Sequence, residues 1–60
     1  MKKYIIRTYY DVIEEEDNLA RARQKEIANS ARYWTRVIVA DKMYRNVFVA
    51  ENGKKALGMN

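Results

Sequence analysis

The stretch that decides the fold is RYWTRVIVADKMYRNVFVAE, residues 32–51. It contains two apolar runs rich in β-branched residues, at 37–40 and 47–50, on either side of a short polar connection. Two such runs around a short connection are typical of an antiparallel β-hairpin. The sequence therefore predicts strands over about residues 35–41 and 44–51, joined at residues 41–43.

Residues 3–13 predict a further strand, because polar and apolar side chains alternate along them. The even positions are uncharged: Tyr4, Ile6, Thr8, Tyr10 and Val12. The odd positions are Lys3, Ile5, Arg7, Tyr9 and Asp11, and three of these residues are charged. Alternate residues of a strand point to opposite faces of its sheet. We therefore expect the even positions to face the core, with Arg7 and Tyr9 pointing outward.

Residues 18–32, NLARARQKEIANSAR, predict one helix, since they are rich in helix formers and contain neither Gly nor Pro. The preceding acidic run at 14–17 suits the positive end of a helix dipole. Two starts compete: a capping box formed by Asp11 and Glu14, or a later cap at Asp17 or Asn18, which we favour. The helical spacing places Ala20, Gln24, Ile27 and Ala31 on the face that packs against the sheet.

These elements predict an α+β domain of order β-α-β-β, with one helix on a three-stranded antiparallel sheet. The domain spans residues 1–53, and residues 54–60 form either a basic tail or a short fourth strand after the turn signal Asn52-Gly53. Trp34 is expected to close the rim of the core. The expected core residues are Tyr4, Ile6, Tyr10, Ala20, Ile27, Ala31, Val37 and Val39.

The composition argues against an enzyme. The chain has 60 residues and contains no Cys and no His, so it lacks the usual metal ligands, the commonest general base and a thiol nucleophile. Consecutive acids on a helix fan outward instead of converging on one ion. We therefore expect no catalytic residues, no metal, no cofactor and no small-molecule substrate. A chain this short has a marginal core, which favours support from a second chain.

The charge balance favours an acidic partner. Lys and Arg number 12 against 8 Asp and Glu, which gives a net charge of +4. Exposed aromatic rings between cations stack on unpaired bases while the cations meet phosphates. This pattern predicts a nucleic-acid interface, DNA or RNA, built from an outward strand group and a basic helix stripe. The strand group is Arg7, Tyr9 and Arg36, and the helix stripe is Arg21, Lys25 and Arg32.

The same hairpin supports an alternative, a module that binds protein. Apolar residues occupy both faces of the hairpin, whereas one helix covers only one face of a sheet. The other face would be covered by a larger protein, on which this chain acts as an inhibitor or adaptor, or by a second copy of the chain in a homodimer. The interface residues predicted for this alternative are Ile38, Tyr44, Val47 and Val49.

The longest uninterrupted apolar runs are the two at 37–40 and 47–50, each of four residues. A membrane span needs about 20 apolar residues, and a signal peptide needs an apolar region of about 7–15. We therefore expect neither feature, no membrane partner, and a cytoplasmic location, with which the absence of Cys is compatible.

Overall fold

The computed structural model describes residues 2–57. Along them run β1 (Tyr4–Arg7), β2 (Val12–Glu16), α1 (Leu19–Arg32), β3 (Arg36–Ala40), β4 (Asn46–Glu51) and β5 (Lys54–Leu57). The strands form one sheet in the order β2-β1-β3-β4-β5, and every neighbouring pair is antiparallel. The predicted α+β class is confirmed, with five strands in the described chain where the sequence predicts three or four.

One extra strand arises because residues 3–13 are two strands and not one. The side chain of Thr8 ends β1: its Oγ1 accepts hydrogen bonds from the backbone N–H groups of Tyr10 at 3.2 Å and Asp11 at 3.0 Å. The N–H of Thr8 also donates to the Asp11 carbonyl at 2.8 Å. Serine and threonine hydroxyls stabilise turns in this way. The chain therefore reverses at residues 8–11 and returns as β2.

The first three residues of the acidic run belong to β2, and none of the run belongs to the helix. Glu14 to Glu16 lie in this edge strand, and the helix begins after it, with Asn18 as its N-cap. The Asn18 Oδ1 accepts a hydrogen bond from the backbone N–H of Arg21 at 2.9 Å, which satisfies one of the free donors of the first turn. The later of the two predicted helix starts is the observed one.

The second extra strand follows Asn52-Gly53. Both residues have positive φ, 53° and 85°, the signature of a type I′ hairpin turn. Of the two alternatives for residues 54–60, residues Lys54–Leu57 form the edge strand β5. Residues 58–60 lie outside the described residues.

The helix packs through a face that the sequence does not predict. Its buried residues are Ala22, Arg23, Glu26 and Ser30. The predicted face was wrong: Ala20, Gln24 and Ala31 are exposed and Ile27 is half-buried. Three of the buried positions precede predicted ones by one residue, a helix rotation of about 100°.

Two of the polar side chains buried on this face, those of Arg23 and Glu26, pair with each other. The Arg23 Nη1 lies 2.8 Å from the Glu26 Oε1, and its guanidinium stacks 4.5 Å from the centre of the Phe48 ring. Glu26 is fully buried, and this desolvation raises the pKa of its carboxyl, against the opposing effects of Arg23 and the Val39 backbone amide. The small residues Ala22 and Ser30 let the helix lie close to the sheet.

The core cluster is Ile6, Ala22, Val37, Val39 and Phe48, with Tyr4, Ile13 and Val47 packed against it. Burial of Ile6, Val37 and Val39 confirms the predicted facing of β1 and β3. Tyr10 and Trp34, expected in or around the core, are 86% and 71% exposed. Tyr10 projects from the turn at residues 8–11, and Trp34 follows the helix end, so neither side chain reaches the core.

The other side of the sheet carries no helix within the described chain. Because Val37 and Val39 face α1, Ile38 points to the opposite side, where it pairs with Arg7 on β1 and Val49 on β4. Ile38 and Val49 are half-buried by their neighbours. We call this side, with Ile38 and Val49 at its centre, the open face.

Candidate nucleic-acid interface

Three connections meet at one end of the molecule. Because α1 runs from the far end of β2 back to the start of β3, its last turn lies near the β1–β2 turn. Tyr33 shares a surface depression with Thr8, Asp11 and Ile13. On the other side, Trp34 shares a cleft with residues of the β4–β5 turn. The exposed aromatic residues of this surface are Tyr9, Tyr10, Tyr33 and Trp34, and we call it the aromatic end.

The β1–β2 turn displays two of these rings. Tyr9 is 80% exposed and Tyr10 86%, and the two rings meet edge to face, with centroids 5.4 Å apart. Arg7 braces the turn: its Nε donates to the Thr8 carbonyl at 3.1 Å and its Nη2 to the Tyr9 carbonyl at 3.4 Å. Together with the Thr8 hydroxyl, Arg7 fixes the backbone from which the rings project.

The end of α1 supplies the other two rings. Tyr33 is the C-cap, and the N–H of Thr35 donates to the Ser30 carbonyl at 3.1 Å, as in a Schellman motif. Trp34 occupies the left-handed position of that motif with φ 52°. Tyr33 and Trp34 are 57% and 71% exposed, and the Arg32 guanidinium lies 5.4 Å from the centre of the Tyr33 ring.

The β4–β5 turn is anchored to the helix beside these rings. The backbone N–H of Gly53 donates to the Ser30 Oγ at 2.9 Å, and the N–H of Asn52 donates to the Thr35 carbonyl at 3.3 Å. A Cβ at Gly53 would lie 3.0 Å from the Cβ of Ala31, so the turn and helix approach closely. Lys54 and Lys55 leave this turn and are exposed.

The aromatic end is also the more basic end. Its cations are Arg7, Arg32, Arg36, Lys54 and Lys55, and its carboxylates are Asp11 and Glu51. The Arg36 Nε lies 3.3 Å from the Glu51 Oε2, but both side chains are about half exposed or more, so water screens this pair. This surface thus combines exposed rings with an excess of positive charge.

The structure brings together some of the predicted nucleic-acid residues and separates others. Arg7, Tyr9, Arg36 and Arg32 lie at the aromatic end. Arg21 lies in the first turn of α1, at the opposite end. Lys25 faces the acids of β2, with its Nζ 2.9 Å from the Glu16 Oε1 and 3.4 Å from the Glu14 Oε1. The six residues therefore do not form one continuous surface.

The contact between Lys25 and Glu16 is strongly electrostatic. Hydrogen bonds from the Lys25 ammonium and from the backbone N–H groups of Asn18 and Asp17 lower the pKa of Glu16 to about 2. The same contact with Glu16 raises the pKa of Lys25. Lys25 is thus committed to an ion pair within the domain.

The residues of the protein-binding alternative are also dispersed. Ile38 and Val49 are paired neighbours on the open face. Val47 lies where the β3–β4 register shifts, and it packs against the core cluster. Tyr44, with φ 59°, is exposed in the β3–β4 loop at the opposite end. There the Asp41 carboxylate accepts from the N–H groups of Arg45 and Met43, which lowers its pKa.

Sequence reasoning missed Tyr10, Tyr33 and Trp34 as surface residues. These residues belong to the adjacent pairs Tyr9-Tyr10 and Tyr33-Trp34. Strand alternation directs Tyr10 to the side opposite Tyr9, toward the core, and it does not apply to Tyr33 and Trp34, which follow the helix. The local turn that exposes both members of each pair depends on hydrogen bonds that an alternation pattern does not encode.

No group of three or more acidic side chains within residues 2–57 is arranged to hold a metal ion. In the same part of the chain, no helix has the length and apolar character needed to cross a membrane. Comparisons of the chain with protein-family models, with curated proteins and with solved structures found no match.

Proposed function

We propose that this protein binds single-stranded nucleic acid, RNA or DNA, through the aromatic end. One observation carries the proposal: four aromatic side chains, each more than half exposed, lie at one end of the sheet beside five cations. Large aromatic side chains contribute strongly to a core when buried. A domain of this size has few of them to spare, so their exposure favours a role in recognition.

The chemistry of the surface favours a strand without a complement. Every base has a π-face that stacks on Tyr or Trp, whereas bases in a duplex are already stacked on one another. Cations beside the rings meet the phosphates and make binding sensitive to salt. The hydrogen bonds of the turns fix the backbone from which the rings project before binding, which lowers the ordering cost of association.

The test is a fluorescence-anisotropy titration with labelled single-stranded and duplex oligonucleotides at low and moderate salt. We expect the single strands to bind more tightly and their affinity to fall steeply as salt rises. The single variant Tyr10→Ala should weaken binding, and the single variant Lys54→Glu should weaken binding more than Tyr10→Ala does at low salt. The absence of binding to any oligonucleotide at low salt would refute the proposal.

The opposite end of the domain provides matched controls. Tyr44 is 75% exposed and Lys42 is exposed, and both lie in the β3–β4 loop, far from the aromatic end. Tyr44→Ala and Lys42→Glu repeat the two chemical changes there. Equal losses from the paired variants at the two ends would show that net charge and total aromatic content, not this surface, determine binding.

We propose as a second candidate a module that docks on a larger protein through the open face. The supporting observation is the apolar pair Ile38 and Val49 on the side of the sheet that α1 does not cover. Binding there would tolerate salt, and Ile38→Asp should abolish it while the monomer remains folded. Unchanged binding of Ile38→Asp to a partner isolated with the wild-type protein would exclude this face.

A further inference from the structure

We propose that the cleft beside Trp34 holds one unpaired base of the bound strand, with the flanking phosphates against Lys54 and Lys55. This inference rests on the proposed function. Trp34 is the central residue of the site, and the ligand is a nucleotide whose base is not paired and can leave the stack of its strand. The cleft has a volume of about 340 Å³ and is lined by Trp34, Glu51, Asn52, Lys54, Lys55 and Ala56.

The position of Trp34 is unfavourable for the fold by itself. It follows the C-cap Tyr33 in the left-handed conformation, with φ 52°, where glycine is the usual residue. A bulky side chain rarely adopts this conformation, because its Cβ crowds the following carbonyl. Burial of the indole does not compensate, since the side chain is 71% exposed. Fold stability therefore does not account for tryptophan here, whereas a stacking platform does.

The cleft places complementary groups around that platform. The indole offers an exposed aromatic face for the base, and tryptophan is also the best aromatic partner for a nearby cation. Asn52 lines the cleft with an amide, which has both a donor and an acceptor for a base edge. Lys54 and Lys55 also line the cleft, and each adds an exposed positive charge for a phosphate beside the stacked base. The Glu51 carboxylate in the same lining is paired with Arg36, whose Nε lies 3.3 Å from its Oε2.

The walls of the cleft are fixed before any ligand arrives. The Asn52-Gly53 turn is tied to α1 by the contact between the Gly53 N–H and the Ser30 Oγ, 2.9 Å long. The Asn52 N–H donates to the Thr35 carbonyl directly after Trp34, at 3.3 Å. The volume lies near the lower bound of about 300 Å³ for small-ligand pockets, so the cleft suits a single base and not a base pair.

Trp34 is the only tryptophan in the sequence, so its fluorescence reports directly on this cleft. The experiment titrates the full chain, excited where tyrosine does not absorb, with an unlabelled single strand of about ten nucleotides, within the usual site-size range. An abasic strand of equal length and charge is the comparison. We expect saturable quenching by the strand with bases and none by the abasic strand.

Two variants at Trp34 test its role by anisotropy with the labelled strand. Trp34→Gly should weaken binding on the order of tenfold or more, as expected for one lost stacking contact. Trp34→Phe should retain most of the affinity, because it keeps a ring. Trp34→Gly should also melt at or above the wild-type temperature, since glycine suits the left-handed position. Loss of binding in a variant of equal or greater stability cannot result from unfolding.

The outcomes separate this inference from the proposed function. Binding by anisotropy without quenching, together with wild-type affinity in Trp34→Gly, would overturn the cleft and leave the aromatic end as the interface. A melting temperature of Trp34→Gly far below wild type would show that the indole serves the fold, and would also overturn the cleft. No binding of any strand at low salt would overturn both proposals.

Discussion

Ser30 and Gly53, 23 residues apart in the sequence, are joined by a hydrogen bond of 2.9 Å from the Gly53 backbone N–H to the Ser30 Oγ. The same hydroxyl donates to the Ile27 carbonyl at 2.8 Å, so it uses its proton within the helix and its lone pair toward the turn. Ser30 is fully buried. One hydroxyl thereby fixes the β4–β5 turn, and with it Lys54 and Lys55, against the end of α1.

Ser30→Ala should lower the free energy of unfolding by about 1–2 kcal/mol. Removing the hydroxyl leaves the Gly53 N–H without its acceptor, which costs about 1–3 kcal/mol, while alanine recovers a few tenths through helix propensity. Chemical denaturation measures the difference. Ala28→Ser makes the reverse change at an exposed position of the same helix and should shift stability by less than about 0.5 kcal/mol. A Ser30→Ala variant as stable as wild type would show that the turn does not depend on this contact.

The buried pair of Arg23 and Glu26 should respond asymmetrically to substitution. Glu26→Leu alone should lower stability by about 3–5 kcal/mol, because it leaves the Arg23 guanidinium buried without its carboxylate. A 60-residue domain has only about 3–9 kcal/mol in total, so this variant should melt far below the wild-type temperature. Circular dichroism during thermal melting measures this loss.

The matched comparison removes both charges together. The double variant Arg23→Met, Glu26→Leu should recover most of the stability, since a well-packed apolar pair often replaces a buried ion pair at little cost. Exposed Arg21→Met is the control for the change of side chain on the same helix, and it should have little effect. Failure of the double variant to refold would mean that the other contacts of Arg23, including the Phe48 ring, are needed.

The sequence predicts the features of this fold that depend on residues close together in the chain. The helix limits follow from Asn18 as a cap and an uninterrupted run of helix formers, and the facing of β3 follows from the alternation around Val37 and Val39. The rotation of α1 does not follow, because a helical pattern of small apolar residues gives no indication that Arg23 and Glu26 pair under the helix. Their burial depends on Phe48, which is distant in the sequence.

The candidate site was only partly predictable for the same reason. Arg7 and Arg36 lie on neighbouring antiparallel strands near one end, so the sequence places them together once the strand order is guessed. Lys25 fits a basic stripe on the helix by spacing, but β2 brings Glu14 and Glu16 against it. The turn at Thr8 interrupts an alternation that continues through Val12 in the sequence. Exposure of Tyr10 and Trp34 therefore requires the three-dimensional structure.

The contact between Glu16 and Lys25 predicts a defined acid sensitivity. The folded state lowers the pKa of Glu16 to about 2, from its ordinary value of 4.5, so folding favours the ionised carboxylate. The resulting stabilisation is present above pH 4.5 and is lost as the pH falls toward 2. Wild type should therefore exceed Glu16→Gln in melting temperature at neutral pH, and the gap should narrow through this window.

The difference in melting temperature between wild type and Glu16→Gln reports on Glu16 alone and not on the other acidic residues. Glu26 has the opposite sign, because its raised pKa gives stability at low pH that is lost as the pH rises through the folded pKa. That contribution is common to wild type and Glu16→Gln and cancels. Glu15→Gln, at an exposed position of the same strand, is the matched control. A gap between wild type and Glu16→Gln that stays constant with pH would contradict the assignment.

Arg7 and Arg36 should contribute to nucleic-acid binding in different ways, because Arg7 braces the turn that carries Tyr9 and Tyr10 while Arg36 is exposed beside the strand ends. Arg7→Lys keeps the charge but cannot reproduce both hydrogen bonds to the turn. Each such bond contributes about 0.5–1.5 kcal/mol, so affinity should fall by up to roughly tenfold with an unchanged salt slope.

Arg36→Lys should bind as wild type, whereas Arg36→Gln should reduce the slope of log affinity against log salt by about 0.7 if it loses one phosphate contact. Anisotropy titrations at several salt concentrations measure the affinity and the salt slope of each variant. A reduced salt slope for Arg7→Lys, together with an unchanged slope for Arg36→Gln, would mean that Arg7 and not Arg36 contacts a phosphate.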